Sequence, residues 1–238
     1  MDALTQRDNS MPELNRDSRD SSLPPGVAKP TPSQGGSSGS HVDTAYFDGL
    51  YETTDDPWHM ETRWYEARKR DLLCNVLPRP RYRRVFEPGC GAGLLTQALA
   101  PRCDAMIVGD LHDRAVAAAK LRMASHEHVE VCKLDIAQAW PEGRFDLIVV
   151  SELGYYFEPA SWLDIAHRLY ASLTQDGTLL ACHWRHDFDA RVTPTAFVHD
   201  TIRTAGVLYS QCMHDEPDFL LEVWTRNPTS IAQYEQLR

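Results

Sequence analysis

Three glycines at alternate positions mark the stretch of this chain that is best suited to binding a ligand. Residues 85–93 read Val-Phe-Glu-Pro-Gly-Cys-Gly-Ala-Gly, and the helix-like run 94–100 follows them. Glycine lets the backbone turn sharply and lets a ligand approach without a Cβ in the way. Glu87 stands two residues before the first glycine, where its carboxylate can reach a positive charge in the ligand. The stretch therefore predicts a strand, a tight turn and a helix whose N-terminus points at the ligand.

Polar and aromatic side chains follow two later apolar runs, at the points where each predicted strand ends. Open α/β sheets bind ligands beyond the carboxyl ends of their parallel strands, so these side chains should lie together at one edge. A carboxylate or imidazole there can take a proton from a bound substrate. The alternative for the tyrosines is that they only close the core under a loop. The candidate catalytic residues are Glu152, Tyr155 and His183, and the candidate substrate-binding residues are Tyr156, Arg185 and His186.

No metal site is predicted at this edge. His183 and His186 could suggest one, and Glu152 could join them. The end of a strand presents that histidine spacing poorly to a single ion, and no third clear ligand accompanies the pair.

The elements that would position these residues alternate between strands and helices. The chain then closes with two apolar runs, 207–209 and 219–224, on either side of a turn-rich segment, which predicts an antiparallel hairpin. A dinucleotide-binding fold would continue with parallel units and would carry Gly-x-Gly-x-x-Gly, so both features disfavour it. The predicted strands after the glycine turn are 105–110, 129–136, 145–151 and 177–184, and the predicted helices are 115–123, 159–173 and 193–205.

The segment before the glycine turn predicts a helix of its own. Asp56 suits the N-cap and Pro57 the first helical position, so the helix would start near residue 57 or 61 and reach Val76. Trp64 would be among its residues at helical spacing.

Several blocks of the chain resemble one enzyme family. The glycine turn resembles motif I of class I methyltransferases that use S-adenosylmethionine (SAM), a cofactor with a positive amino group and no phosphate. Asp-Pro-Trp at 56–58, Tyr-Glu-Ala-Arg-Lys-Arg at 65–70 and Glu-Leu-Gly-Tyr-Tyr at 152–156 are similar to the nodulation protein S (NodS-like) N-methyltransferases. The resemblance covers residues from about 45 to the end. It implies an α/β, Rossmann-like class I methyltransferase fold with a seven-stranded, mostly parallel sheet and a terminal antiparallel hairpin.

The resemblance also implies roles for individual residues. Glu87 and the glycines would surround the methionine end of SAM, and Asp110 would accept hydrogen bonds from the ribose hydroxyls. Asp135 and Ile136 would flank adenine. Trp58 or Tyr65 would pack on the cofactor or only on protein, and which of Arg68, Lys69 and Arg70 faces the cofactor carboxylate stays open. The expected cofactor-binding residues are Trp58, Tyr65, Lys69, Glu87, Gly89, Cys90, Gly91, Gly93, Asp110, Leu111, Asp135, Ile136 and Ser151.

Length and composition limit the number of domains, the partners and the cellular compartment that can be expected. The 238 residues are enough for one α/β domain, expected at 44–238, after a Pro-, Gly- and Ser-rich tail, 1–43, that is expected to be disordered. The net charge of −10 disfavours nucleic acid as a partner. Six cysteines without a Cys-x-x-Cys pair predict free thiols in a reducing compartment, and no run approaches the ~20 apolar residues of a membrane span. We expect a cytoplasmic protein.

Three classes of function remain on these grounds. The first is a SAM-dependent N-methyltransferase acting on a small-molecule or saccharide amine, with a small-molecule O-methyltransferase as its alternative. The second is an NAD(P)-binding enzyme, disfavoured by the glycine spacing and the hairpin. The third is a SAM-binding protein without catalysis, which would lack the acid–base residues that this chain carries. The methyl acceptor and the oligomeric state are not predicted.

Overall fold

The protein is built around one twisted sheet covered by helices on both faces. The computed structural model describes residues 44–237, and the predicted tail, residues 1–43, lies outside the described residues. Seven strands form the sheet in the order β3-β2-β1-β4-β5-β7-β6, with only the last two contacts antiparallel. The predicted α/β fold with a closing hairpin is confirmed. The strands are β1 Tyr82–Pro88, β2 Cys103–Asp110, β3 Val129–Lys133, β4 Phe145–Ser151, β5 Leu173–Trp184, β6 Tyr209–Asp215 and β7 Phe219–Thr225.

The helices connect successive strands and close the two faces of the sheet. One apolar core lies between the sheet and the helices that follow β4 and β5, and the other lies on the opposite face. β4 is buried at every residue except its last, as expected for a strand covered on both sides. The helices are α1 Thr44–Tyr51, α2 Trp64–Asn75, α3 Leu94–Leu99, α4 Asp113–Arg122, α5 Pro159–Ser172, α6 Thr195–Thr204 and α7 Ile231–Tyr234.

The segment before β1 differs from the sequence prediction. α2 begins at Trp64, not near Pro57, and the Trp64 side chain is 76% exposed. Asp56 still acts as a cap, because its carboxylate accepts hydrogen bonds from the amides of Met60 at 2.8 Å and Glu61 at 3.0 Å. That contact closes a turn before the helix, since the local cap signal does not require a helix to follow.

The ends of two strands also differ from the prediction. β3 stops at Lys133, because the Asp135 side chain turns back to accept from the Ala137 amide at 2.9 Å. β5 starts earlier than expected, at Leu173. The carboxyl ends of β1, β2, β4 and β5 nevertheless meet at one edge of the sheet, where the candidate residues were predicted. In the described part of the chain, no helix is long and apolar enough to cross a membrane.

Candidate active site

The glycine turn joins β1 to α3 and is held against the neighbouring strand. The amides of Gly89 and Cys90 both donate to the carbonyl of Gly109 on β2, at 2.7 and 3.0 Å. Gly89, Gly91 and Gly93 all have positive φ, at 71°, 54° and 79°, a region that side chains with a Cβ rarely enter. The alternate spacing of the glycines therefore follows from the backbone path of the turn.

Glu87 lies at the end of β1, directly under the turn. It is buried, and its Oε2 accepts from the Thr96 hydroxyl at 2.7 Å. Burial, together with the nearby Asp110 carboxylate, raises the pKa of Glu87 to about 8, against the lowering effect of the Thr96 hydrogen bond. A cation placed beside this buried carboxyl group would stabilise its ionised form and lower its pKa.

Asp110 ends β2 and faces the same turn. Its two oxygens accept from the amides of Gly91 and His112, both at 2.9 Å. Burial raises the pKa of Asp110, although the backbone donors oppose the shift. A buried and a half-buried carboxyl group thus converge on a glycine-lined turn, an arrangement suited to a ligand that is cationic and lacks phosphate.

A cavity opens beside the end of β2. It has a volume of about 460 Å³, and Leu111 is among its lining residues, together with residues of α1 and the start of α4. Ile136 is buried in the core beneath α5, and an Asp135 oxygen is used by its own turn. The remaining residues that line the cavity are Thr44, Asp48, Glu52, His112, Asp113, Arg114 and Lys133.

The sequence reasoning missed the contribution of α1. Tyr51 stacks on the His112 ring with 4.4 Å between ring centroids, and His112 Nε2 lies 2.9 Å from an Asp48 oxygen. Trp58 packs edge-on against Tyr51 at 5.8 Å. The two contacts with His112 join residues more than 60 positions apart, so no local sequence pattern predicts them.

Glu152 is the centre of a polar cluster at the end of β4. Its backbone has a φ of 54°, which is unusual for a residue other than glycine and marks local strain. Oε1 lies 2.9 Å from the Lys69 ammonium, and Oε2 accepts from the Tyr155 hydroxyl at 2.6 Å and from the Trp184 amide at 3.0 Å. The side chain retains 23% exposure. Three donors therefore fix the Glu152 carboxylate in one orientation at the strand ends.

Lys69 brings α2 to the same place. Its buried ammonium contacts Glu66 at 3.0 Å as well as Glu152. Burial lowers the pKa of Lys69, but the two carboxylates outweigh that effect and the net shift is upward. Arg68 pairs with Glu216 and Arg70 with the Met60 carbonyl. Of the three basic residues, Lys69 is the one buried beside Glu152, and here its partners are protein carboxylates; cofactor binding by Lys69 stays a prediction.

The aromatic candidates pack largely against protein. Tyr65 lies edge-on to Trp184 at 5.6 Å and to Phe219 at 6.2 Å, and its buried hydroxyl has no hydrogen-bond partner. Tyr155 and Tyr156 are both buried. Both rings pack in the core, and the Tyr155 hydroxyl also donates to Glu152; roles for either residue in catalysis or substrate binding stay predictions.

The structure does not place His183 where a substrate could touch it. The side chain is completely buried, and both ring nitrogens are occupied, Nε2 by the Gly154 amide and Nδ1 by His199, each at 3.0 Å. Successive residues of a strand face opposite sides of the sheet, and His183 points into the core while Trp184 reaches the Tyr65 ring.

Arg185 and His186 lie at the surface and are paired with the β6–β7 hairpin. Arg185 contacts Asp215 at 2.5 Å, and His186 contacts Asp218 at 2.8 Å. Ser151 sits beside Cys182 in the β4–β5 register, close to the cluster. Among residues 44–237, no group of three or more His, Cys, Asp or Glu side chains is arranged to hold a metal ion.

Replacing Glu87 with glutamine should raise the melting temperature of the ligand-free protein, and this gain over the wild type should be larger at pH 8 than at pH 5. The pKa of Glu87 in the folded state, about 8, exceeds its ordinary value of 4.5, so the folded state keeps a proton that the unfolded state has released. Stability from this group is therefore full below pH 4.5 and is lost as pH rises towards 8. Glutamine stays neutral, so we expect a gain of roughly 3 °C or more at pH 8.

The control is Glu127→Gln, a change at an exposed residue. Thermal denaturation of both variants at pH 5 and pH 8 measures the difference. An equal shift of Glu87→Gln at the two pH values would contradict the raised pKa.

The family model and the curated relatives agree on one family. The sequence model of Nodulation protein S (NodS) matches residues 50–209. Nodulation protein S of Rhizobium tropici is 30% identical over 188 residues, covering 75% of this chain and 78% of the relative. Solved structures also match. A Pseudomonas syringae protein assigned as a methyltransferase is 41% identical, with a TM-score of 0.60, covering 68% of this chain and 99% of its own.

The second structure is the N-methyltransferase NodS of Bradyrhizobium japonicum WM9 in complex with S-adenosyl-L-homocysteine. It is 27% identical, with a TM-score of 0.65, covering 74% of this chain and 94% of its own. The family match spans well over half of the chain. The chain therefore belongs to the nodulation protein S (NodS) family.

Proposed function

We propose that this chain transfers the methyl group of SAM to an amine nitrogen of a small molecule or amino sugar. The chain is a SAM-dependent methyltransferase, and what we propose is the chemical class of its methyl acceptor. The observation that carries it is the cluster of Glu152, Lys69 and Glu66, in which one ammonium faces two carboxylates. One ammonium and two carboxylates leave a net charge of about −1 beside the strand ends. That charge favours binding of an amine or its ammonium form over a neutral hydroxyl group.

The residues under the glycine turn fit the cofactor. SAM carries a sulfonium and an ammonium that acidic side chains can stabilise, whereas the pyrophosphate of NAD would gain nothing from Glu87 and Asp110. We propose that Glu87 holds the ammonium and that Asp110 accepts from the ribose hydroxyls. The NodS structure in complex with S-adenosyl-L-homocysteine supports the same ligand class.

Methyl transfer asks little covalent chemistry of the protein. SAM, when bound, supplies a methyl carbon on a sulfonium; the acceptor nitrogen bonds to that carbon as the carbon–sulfur bond breaks. The protein has to align the nitrogen and exclude water. It must also accept the proton that the nitrogen loses on methylation. Glu152 is proposed to receive it, because its carboxylate is partly exposed and is held by Tyr155 and the Trp184 amide.

The rim beyond Glu152 suits a hydroxylated acceptor. Trp184 is half-buried there and has the His186 ring 4.7 Å away, centroid to centroid. Arg185, Asp215 and Asp218 add exposed donors and acceptors. An aromatic side chain among polar groups can pack on a sugar ring and hydrogen-bond its hydroxyls. We therefore propose amino sugars as the first class to test.

The test compares acceptors that differ at a single group. The protein is incubated with SAM and with glucosamine, N-acetylglucosamine or glucose, and with short oligomers of the two amino sugars, and product mass is measured. We expect one added methyl group on free amines and none on the acetylated or hydroxyl-only partners. Methylation of a hydroxyl compound, with no free amine modified, would instead establish the O-methyltransferase alternative.

A further inference from the structure

Two buried histidines and one glutamate form a continuous chain of hydrogen bonds behind the proposed catalytic cluster. The Gly154 amide donates to His183 Nε2 at 3.0 Å, and His183 Nδ1 lies 3.0 Å from His199 Nε2. His199 Nδ1 then lies 2.8 Å from Glu222 Oε2, and Arg203 closes the series on Glu222 at 2.6 Å. We call His183, His199 and Glu222 the histidine relay. None of its three members is more than 1% exposed.

The donors at the two ends determine where the protons sit. A backbone amide can only donate, so His183 Nε2 must be unprotonated and its proton must be on Nδ1. That proton points at His199 Nε2, which must therefore accept, and the remaining His199 proton, on Nδ1, points at the Glu222 carboxylate. Burial lowers the pKa of both histidines, so both rings are neutral at pH 7. Each ring thus has one tautomer that satisfies every contact.

The relay ends on the turn that carries the proposed catalytic residues. Gly154 begins the 3-10 turn Gly154–Tyr156, two residues after Glu152. A Cβ at Gly154 would clash with a Val198 methyl group, so the turn is also packed closely against α6. The strained φ of Glu152 needs such support, because a residue in that conformation tends to relax if its neighbours move.

We propose that the histidine relay positions the Glu152–Tyr156 turn for methyl transfer, with His183 and His199 as positioning residues that do not touch the substrate. The inference rests on the proposed function, since a correctly placed Glu152 matters only if this edge of the sheet binds the acceptor. We expect the relay to act on the acceptor side, because its three members lie on β5, α6 and β7, whereas the glycine turn follows β1 and Asp110 ends β2.

The first test needs no activity. In uniformly ¹⁵N-labelled protein at pH 7, two-bond ¹H–¹⁵N correlations report the tautomer of each histidine ring. We expect both His183 and His199 to carry their proton on Nδ1, and the Gly154 amide to exchange slowly with solvent. A proton on His183 Nε2, or an imidazolium form of His183, would overturn the relay. This measurement stands even if no amine turns out to be an acceptor, in which case only the proposed function fails.

The second test separates positioning from folding. His199→Leu removes the acceptor for His183 Nδ1 and should lower kcat for an amine acceptor by about 10- to 100-fold, the effect of a displaced catalytic group. Affinity for SAM should stay within about twofold, which a general loss of structure would not allow. His199→Gln keeps an oxygen that can accept from His183 and should recover most of kcat.

The matched control is His167→Gln, at an exposed residue of α5, which should change neither parameter. Wild-type kcat in a folded His199→Leu variant would overturn the proposal, as would a His199→Gln variant as slow as His199→Leu. If His199→Leu does not fold, the wild-type tautomers and the His199→Gln variant decide, since a folded His199→Gln protein with kcat reduced tenfold would also contradict it.

Discussion

Replacing Glu152 with glutamine should lower kcat for an amine acceptor by about 10²-fold or more while leaving SAM affinity unchanged. Glutamine keeps the shape of the side chain and can still accept from the Tyr155 hydroxyl and the Trp184 amide. It cannot take a proton. Lys69 keeps its contact with Glu66 at 3.0 Å, so the change does not leave a buried ammonium without a carboxylate partner.

The pH dependence separates catalysis from mere ordering of the turn. If Glu152 receives the proton, the residual rate of Glu152→Gln should recover as pH rises, because more of the free amine is then deprotonated in solution. The control is Glu158→Gln, at the exposed N-cap of α5. A folded Glu152→Gln protein with the wild-type rate and pH profile would refute the acid–base role. Tyr155, whose hydroxyl lies 2.6 Å from that carboxylate, would then be the next candidate.

Replacing Asp110 with alanine should weaken SAM binding by roughly 1–3 kcal/mol, the scale of hydrogen bonds lost from a charged group. The structure adds a second consequence, because Asp110 also accepts from the Gly91 and His112 amides and so orders the glycine turn in the free protein. We therefore expect a lower melting temperature as well. Isothermal titration calorimetry measures the affinity, and thermal denaturation measures the stability.

Two further variants separate these effects. Asp110→Asn keeps one oxygen for a backbone amide and removes the charge, so it should recover stability more than SAM affinity. Asp104→Ala changes an exposed residue at the other end of β2, paired with Arg81, and should leave SAM affinity unchanged. Unchanged calorimetric affinity in folded Asp110→Ala protein would remove Asp110 from the ribose site.

The fold, the family and the cofactor class could be read from the sequence because their signals are local. Strand and helix periodicity, the glycines at alternate positions and the closing hairpin each depend on residues close together in the chain. The turn requires positive φ at three alternate positions, and a glycine stands at each of them. These predictions are confirmed by the strand order and by the NodS family match.

Tertiary structure alone decided which candidate side chains meet. Lys69, Arg68 and Arg70 are equivalent in sequence, and only the packing of α2 into the apolar core on that face of the sheet brings Lys69 to Glu152. His183 was expected at the edge of the sheet, yet the strand turns its ring into the core towards His199. A sequence shows that a strand alternates, but which face meets solvent depends on the helices packed against it, and those contacts join residues far apart in the chain.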